Sequence, residues 1–195
     1  MFMAANRIGK TMGVGGYETT CHTTGRYPDW WPGRRFEQPV DWWIAGKTNE
    51  TTRDIIQKKL FGEVKWVGNR KRVSGTGLVP YQDIGDITWK SHVPDLIDTI
   101  RIRHRPTDGW SSIGVKTYQQ GRGSFEGTEK HGVWLDEEPE GREGLSIYAE
   151  CLTRTMTTNG MLIVTFTPLM GLSEVVLSFM PSNLPRPEEL AAMAR

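Results

Sequence analysis

The stretch that decides the fold is Ala4-Ala5-Asn6-Arg7-Ile8-Gly9-Lys10-Thr11, close to the amino terminus. It follows the pattern of a loop between a strand and a helix, in which backbone N–H groups surround a phosphate. Gly9 allows the backbone to turn inward, Lys10 supplies a positive charge for the β- and γ-phosphates, and Thr11 supplies a hydroxyl for Mg²⁺. Ala4 stands where the pattern usually has its first glycine. We predict a nucleotide-binding P-loop; the alternative is a chance Gly-Lys-Thr.

A second motif, Val133-Trp134-Leu135-Asp136-Glu137-Glu138, is an apolar strand that runs directly into acidic residues. With a P-loop upstream, this pattern is typical of the strand that ends at a bound nucleotide. Asp136 would hold Mg²⁺, and Glu137 would orient and deprotonate the attacking water. Glu137 is the better candidate than Glu138 by position. The alternative is an acidic surface turn, because further glutamates follow.

Two other positions are candidates for the same site. Arg7 lies inside the loop, where a guanidinium stabilises charge during phosphoryl transfer by about 10³–10⁵ in rate. The alternatives are a solvated arginine or one paired with an acid. Thr167 follows the apolar run Met161-Leu162-Ile163-Val164-Thr165, and its hydroxyl would sense the γ-phosphate; an ordinary turn is the alternative.

The order of strand and helix patterns predicts an α/β fold with a mainly parallel central sheet flanked by helices. Gly13, Gly15 and Gly16 weaken the helix after the loop, and close packing against a neighbour would explain them. Residues 63–99 give no clear pattern. The predicted elements are a strand stub over 2–5, a helix from about Gly9, a loop over 25–39, a strand Val40–Ala45, a helix capped by Thr48 or Asn49 and running to about Phe61, a β-hairpin insertion over 99–118 with its turn at 106–109, a strand Gly132–Asp136, a helix from Ser146 to about Thr158, and a strand Met161–Thr165.

Length and composition exclude several classes of protein. The chain has 195 residues, of which 37% are hydrophobic and 24% charged, with a net charge of +1. These values are ordinary for one globular domain, and no apolar run approaches the ~18 residues of a membrane span. Cys21 and Cys151 have no zinc-site spacing, so we expect reduced thiols. The four histidines are scattered, which argues against a histidine metal site.

These motifs resemble the large terminase subunit of tailed double-stranded DNA phages and prophages. The residues that carry the resemblance are the arginine-bearing loop Asn6–Thr11, the acidic strand Val133–Glu137, and Phe166-Thr167-Pro168, which is similar to the family's coupling motif. The segments Tyr27-Pro28-Asp29-Trp30-Trp31 and Thr48–Asp54 also look like this family. The resemblance covers most of residues 2–180.

The resemblance implies an ATP- and Mg²⁺-dependent motor that pumps double-stranded DNA through a portal protein into a procapsid. It implies a homo-oligomeric ring, a small terminase subunit as partner, no membrane, and a location in the host bacterial cytoplasm but not in the mature virion. We expect residues 1–180 to be the ATPase domain, truncated at its amino end, and 181–195 to be a Pro-rich tail or linker. The family's nuclease domain has no counterpart in this sequence, so we expect no DNA cleavage by this chain.

A motor of this kind needs a DNA-binding surface. One candidate is Arg101, Arg103 and Arg105 on the predicted hairpin, and the other is Arg70, Lys71 and Arg72. Both would contact phosphates and not bases, which gives salt-dependent and sequence-independent binding. The alternative is a solvated charged face.

Two other functions stay open from the sequence alone. One is another nucleic-acid-dependent P-loop ATPase such as a helicase, although the chain is too short for a second motor domain. The other is an inactive or incomplete prophage fragment that binds only nucleotide or a packaging partner. Intact Lys10, Asp136 and Glu137 argue against decay of the site.

Overall fold

The computed structural model describes residues 2–3, 9–167 and 174–179 of the chain. Within those ranges, seven strands form one sheet in the order β1-β9-β8-β2-β7-β6-β5, and β3 and β4 form a separate ribbon. The strands are β1 Phe2–Met3, β2 Asp41–Gly46, β3 Val64–Val67, β4 Arg70–Val73, β5 Ile84–Trp89, β6 Ile97–His104, β7 Gly109–Thr117, β8 Gly132–Asp136 and β9 Met161–Phe166.

The sheet combines a parallel part with an antiparallel part. Strands β1, β9, β8, β2 and β7 are parallel to their neighbours, whereas β6 and β5 are added antiparallel. The predicted mainly parallel α/β sheet is therefore confirmed. The predicted hairpin is also confirmed as β6 and β7, and its second strand pairs with β2 so that the hairpin continues the central sheet.

Helices cover both faces of the sheet. They are α1 Tyr17–Thr24, α2 Asn49–Thr51, α3 Lys58–Phe61, α4 Gly141–Met156 and α5 Glu174–Phe179, with π-helical turns over Thr11–Gly16 and Thr52–Gln57. The second of these turns joins α2 to α3, and we call the continuous stretch from α2 to α3 the cleft helix. Short 3₁₀ turns occupy Tyr81–Asp83, Tyr118–Gln120 and Arg122–Phe125.

Two hydrophobic cores follow from the alternation of side chains along the strands. Trp42, Ile44 and Trp134 point to one face, where they pack with Ile56 and Leu60 of the cleft helix. Their neighbours point to the other face and pack with α4 and α5; this second core includes Trp43, Ala45, Val133, Leu135, Ile147, Cys151, Val164 and Val176. Burial of strands on both faces explains why their sequences are almost continuously apolar.

The glycines after the loop are explained in two of three positions. A Cβ on Gly15 would lie 2.0 Å from the indole of Trp134, and one on Gly16 would lie 2.8 Å from Leu78. Close packing is therefore confirmed at both. Among the residues that the structure describes, none has an atom within 4 Å of a Cβ on Gly13. The first turn of this segment sits directly on β8, which brings Thr11 next to the end of that strand.

The cleft helix begins as predicted. Thr48 is its N-cap, and the Thr48 hydroxyl accepts a hydrogen bond of 3.1 Å from the backbone N–H of Thr51. Residues 25–39 contain no helix or strand, also as predicted. The prediction for α4 was wrong at its start, because the helix begins at Gly141 and not at Ser146. Its first turn contains Gly141 and Gly144, and glycine disfavours a helix by about 1 kcal/mol relative to alanine, so helix propensity places the start too late.

Residues 63–99 contain a two-stranded ribbon and then β5, which lies at the edge of the main sheet. We call β3, β4 and their connecting residues (64–73) the basic ribbon. The ribbon turns at Gly68-Asn69, and the positive φ of 59° at Gly68 fits a two-residue hairpin turn with glycine first. In the ranges that the structure describes, no helix has the length and apolar character needed to cross a membrane.

Candidate nucleotide-binding site

Four of the predicted site residues, Lys10, Thr11, Asp136 and Glu137, meet at the carboxyl edge of the parallel strands, where ligands bind in open α/β sheets. There β2, β8 and β9 end beside the start of the helix that follows the loop. A cleft of about 350 Å³ opens at this edge. Its lining residues are Gly9, Lys10, Thr11, Gly46, Lys47, Thr51, Ile55, Ile56, Lys59, Asp136 and Glu137.

Lys10 and Thr167 are in contact across this cleft. Lys10 is only 8% exposed, and its Nζ donates a hydrogen bond of 2.7 Å to Oγ1 of Thr167. The two residues lie 157 positions apart in sequence. Thr167, the residue after β9, is therefore linked by a hydrogen bond to the P-loop lysine.

Asp136 is the centre of a buried hydrogen-bond network. Its Oδ1 accepts from the hydroxyl of Thr11 at 3.1 Å and from the hydroxyl of Thr165 at 2.8 Å. Nε1 of Trp134 in turn donates to Oγ1 of Thr165 at 2.8 Å. Burial raises the pKa of Asp136 to about 6, and the two hydroxyl donors oppose that shift. The network thus fixes the orientation of a carboxylate that is costly to ionise without a cation.

Glu137 has an unusual backbone conformation. Its φ is 70°, which a β-carbon disfavours by about 1–2 kcal/mol. Its N–H donates to the carbonyl of Thr165 at 2.9 Å, and its carbonyl accepts from the hydroxyl of Tyr118 at 2.8 Å. The same hydroxyl lies 3.2 Å from the carbonyl of Asp136. These contacts hold a strained residue so that its exposed side chain lines the cleft, and such strain is common at functional sites.

Glu138 lies differently from Glu137. Its side chain is 8% exposed and is not among the groups that line the cleft. The two side chains point differently because the left-handed backbone at Glu137 changes the direction of the chain after β8.

The loop itself is described from Gly9 onward. Gly9 has a φ of 88°, a conformation suited to glycine, and its carbonyl accepts hydrogen bonds from the N–H groups of Met12 and Gly13 as the helix begins. The candidate residues Asn6, Arg7 and Ile8 lie outside the described residues, as do Pro168 and the predicted tail over 181–195.

Sequence reasoning missed several residues of this cleft. Lys47 and Thr51 follow β2, and Lys59 reaches the cleft from α3 and lowers the pKa of Asp136 as a nearby charge. Tyr118, whose hydroxyl contacts the carbonyls of Asp136 and Glu137, was predicted only as the last residue of the hairpin. Lys59 lies in a helix far from both motifs, so no sequence pattern marks it. Lys47 directly follows a buried strand, and the argument that identified Asp136 could have identified it as well.

The hairpin arginines are not equivalent in the structure. Arg101 is exposed on β6. Arg103 forms an ion pair with Asp108, and Arg105 forms one with Asp83, whose side chain is fully buried. Arg26 also pairs with Asp83, at 3.2 Å. Arg105 therefore joins the hairpin to the 3₁₀ turn that contains Asp83.

The second basic group is also divided. Arg70 and Arg72 are exposed, whereas Lys71 lies on the opposite face of the ribbon. Nζ of Lys71 is 2.9 Å from a carboxylate oxygen of Asp95 and lies over the rings of Trp66 and Trp89.

The parallel sheet, the glycine turn before a helix, and the lysine, threonine and acidic strand end define a domain of the P-loop NTPase type. The family model described as terminase large subunit, T4likevirus-type, N-terminal, matches residues 1–194. The chain therefore belongs to the phage terminase large-subunit family and corresponds to its N-terminal part.

Individual relatives agree with this assignment. The large terminase subunit of Salmonella phage P22 is 40% identical over 197 residues, which cover 92% of this chain and 37% of the phage protein. The chain thus spans about a third of the length of this curated relative.

Two solved structures are similar as well. Both are of the large terminase ATPase domain of Thermus phage P74-26. One matches with a TM-score of 0.48 and 12% identity, and covers 85% of this chain and 57% of that chain. An arginine-to-alanine mutant of the same domain matches with a TM-score of 0.47 and 13% identity, covering 84% and 58%.

Proposed function

We propose that this domain hydrolyses ATP to drive double-stranded DNA into a phage procapsid. The observation that carries the proposal is the hydrogen bond of 3.1 Å between the hydroxyl of Thr11 and the carboxylate of Asp136, at the mouth of a cleft that also contains Lys10 and Glu137. A lysine, a hydroxyl, a buried carboxylate and an exposed carboxylate are the groups that phosphoryl transfer to water requires.

The donor set fits a magnesium–nucleotide complex. The hydroxyl of Thr11 and the carboxylate of Asp136 are hard oxygen ligands, which Mg²⁺ prefers together with phosphate oxygens. Bound Mg²⁺ would neutralise charge on the phosphates. The raised pKa of Asp136 supports this fit, because a cation would repay the cost of ionising a buried carboxylate.

Phosphate binding falls to the loop and its lysine. Lys10 would direct its ammonium to the β- and γ-phosphates, with the N–H groups of Asn6, Arg7, Ile8, Gly9 and Thr11 around them. Arg7 would stabilise the charge that develops during transfer.

The water-activating role falls to Glu137. Its carboxylate lines the cleft beside Asp136, where it would orient a water molecule and take its proton. Tyr118 acts through Glu137 as a positioning residue, because its hydroxyl holds the carbonyls of both acidic residues. Burial raises the pKa of Tyr118 well above its usual value, so this hydroxyl stays protonated and remains a donor.

Coupling to movement falls to Thr167. Its hydroxyl accepts a hydrogen bond of 2.7 Å from Nζ of Lys10. A phosphate that attracts the ammonium of Lys10 would compete with this contact and release the end of β9. The proposal therefore assigns to Thr167 the first change that follows nucleotide binding.

The partners follow from the family to which the chain belongs. We propose double-stranded DNA, a portal protein and a small terminase subunit, with the active form a ring of copies in the host bacterial cytoplasm. Contact with DNA would be electrostatic, through exposed cationic side chains.

The test is steady-state hydrolysis of Mg·ATP by the chain, with and without linear duplex DNA, and with Lys10→Ala as the control. We expect turnover in the wild type, stimulation by DNA, and loss of both nucleotide binding and turnover in the variant. Nucleotide binding that depends on Lys10 without turnover would indicate an incomplete catalytic unit. Neither binding nor turnover would contradict the proposal.

A further inference from the structure

The basic ribbon has two faces, and most of its cations lie on one of them. Directly opposed residues of an antiparallel pair project from the same face. The pairing places Lys65 opposite Arg72 and Val67 opposite Arg70, and we call this set the outer face. The inner face consists of Val64, Trp66, Lys71 and Val73.

The inner face attaches the ribbon to the domain. Val73 is buried and belongs to the main hydrophobic core. Lys71 is neutralised by Asp95 at 2.9 Å and lies between two tryptophan rings. At its base, the N–H of Ser74 donates to the carbonyl of Glu63 at 2.7 Å. The ribbon is therefore oriented, and its outer face is turned to solvent.

The outer face carries positive charge that nothing in the described part of the chain neutralises. Lys65, Arg70 and Arg72 are exposed, and across residues 9–167 and 174–179 none of them forms an ion pair with a carboxylate. Lys65 stands directly opposite Arg72, and like charges in that arrangement destabilise a ribbon. The fold thus retains a cost in stability that a polyanion bound to this face would relieve.

The β6–β7 hairpin shows the opposite arrangement. Arg103 and Arg105 each have an acidic partner, Asp108 and Asp83, and Arg101 faces Ser112 across the strand pair. Two of its three arginines are therefore neutralised by acidic residues of the same chain. The two basic candidates predicted from sequence differ in the charge that they leave for a ligand.

We propose that the outer face of the basic ribbon binds the phosphate backbone of duplex DNA without reading its sequence. The inference rests on the proposed function for the class of partner. Cations on alternate positions of a strand are about 7 Å apart and form a row suited to successive phosphates. The ribbon follows directly on the cleft helix, whose Ile56 and Lys59 line the nucleotide cleft.

The test compares two double variants of equal charge in the full chain, Arg70→Gln/Arg72→Gln and Arg101→Gln/Arg103→Gln. Binding to a fluorescent linear duplex is measured by anisotropy over a series of salt concentrations. Each phosphate contact contributes about 0.9 to the slope of log K against log salt. We expect the ribbon variant to lose about 2 from that slope and to bind roughly 50-fold more weakly at 0.1 M salt. We expect the hairpin variant to keep nearly the wild-type slope.

Two controls separate this result from misfolding and from failure of the nucleotide site. The ribbon variant is expected to melt no lower than wild type, because it loses a like-charged pair, and Lys65→Gln alone is expected to reduce the slope by about 1. Unchanged DNA affinity in the ribbon variant, an equal loss in the hairpin variant, or no duplex binding by the wild type would overturn the proposal. Binding of Mg·ATP, measured separately, reports on the proposed function and is expected to be unchanged in both double variants.

Discussion

The nucleotide cleft and the basic ribbon are both polar, but they hold their polar groups in opposite ways. In the cleft, Asp136 is buried and receives hydrogen bonds from two hydroxyls. On the outer face of the ribbon, Arg70 and Arg72 are exposed and their charges are left to solvent. The cleft gains electrostatic strength from its low exposure, whereas the ribbon acts through charges that salt screens.

This difference indicates what each region is able to do. A network in which Trp134 orients Thr165 and Thr165 orients Asp136 is preorganised, and preorganised groups stabilise developing charge with little rearrangement. A row of exposed cations binds a polyanion at many registers with similar energy, which suits a polyanion that slides along the surface.

The protonation of Asp136 gives the largest expected effect on stability. Its pKa of about 6 exceeds the value near 4 of an unfolded chain, so between these pH values the folded protein holds a proton that the unfolded chain releases. The free energy of unfolding therefore falls as pH rises through this window. We expect Asp136→Asn to remove this contribution and to raise the free energy of unfolding at pH 7 by up to about 3 kcal/mol.

Urea unfolding of the ligand-free protein at a series of pH values measures this effect. The difference between wild type and Asp136→Asn isolates Asp136 from other titrating groups. Parallel pH profiles for the two proteins would show that Asp136 is ionised at no cost, and the contrast between a costly cleft and a solvated ribbon would then be lost.

The packing of Trp134 against the helix after the loop is tested by two matched glycine substitutions. Gly15→Ala places a methyl group against the indole, and we expect a loss of about 1–3 kcal/mol in the free energy of unfolding. Gly13→Ala meets no atom of the described residues within 4 Å, and we expect a gain of up to about 1 kcal/mol from helix propensity. Chemical denaturation compares them; equal effects would mean that the indole does not support this turn.

The positioning role of Tyr118 is tested by Tyr118→Phe, which removes one hydroxyl and keeps the ring. We expect kcat for ATP hydrolysis to fall about tenfold with KM nearly unchanged, because Glu137 would lose the donor that holds its strained carbonyl. Tyr81→Phe, at an exposed tyrosine, is the control. A rise in KM with kcat unchanged would place Tyr118 in nucleotide binding instead.

The smallest effect is expected in the ribbon. Arg72→Gln removes the like-charged pair with Lys65, and we expect the free energy of unfolding to rise by about 0.2–1 kcal/mol at low salt. The gain is expected to shrink as salt increases. Arg101→Gln, opposite a serine, is the control. A loss of stability in Arg72→Gln would mean that the cation has an internal structural role.

The parts of the fold that follow from local pattern were predicted, and those that depend on tertiary contacts were not. The strand Gly132–Asp136 and the capped helix after Thr48 carry strong local signals of burial and capping. Each strand of the ribbon has only four residues, and β4 begins with three consecutive cations, so its sequence shows no two-residue period. The first turn of α4 contains Gly141 and Gly144, so intrinsic helix propensity does not mark its start.

The candidate site divides along the same line. Lys10, Thr11, Asp136 and Glu137 belong to motifs whose spacing reflects their chemistry, and the structure brings them to one cleft. Tyr118 lies in the 3₁₀ turn after β7, and its hydrogen-bond partners are the backbone carbonyls of Asp136 and Glu137, so no side-chain pattern marks it. The basic candidates show the limit most plainly, since a run of arginines in sequence does not reveal which of them has an acidic partner in space.

We propose that Glu137, held in a strained conformation at the cleft, activates water for ATP hydrolysis. The most direct test is single-turnover hydrolysis of Mg·ATP by Glu137→Gln and Glu138→Gln, with nucleotide affinity measured for both. For Glu137→Gln we expect the rate of hydrolysis to fall by about 10²–10⁴-fold, with nucleotide affinity within a few-fold of wild type. For Glu138→Gln we expect hydrolysis near the wild-type rate. Hydrolysis by Glu137→Gln at the wild-type rate would contradict the proposal.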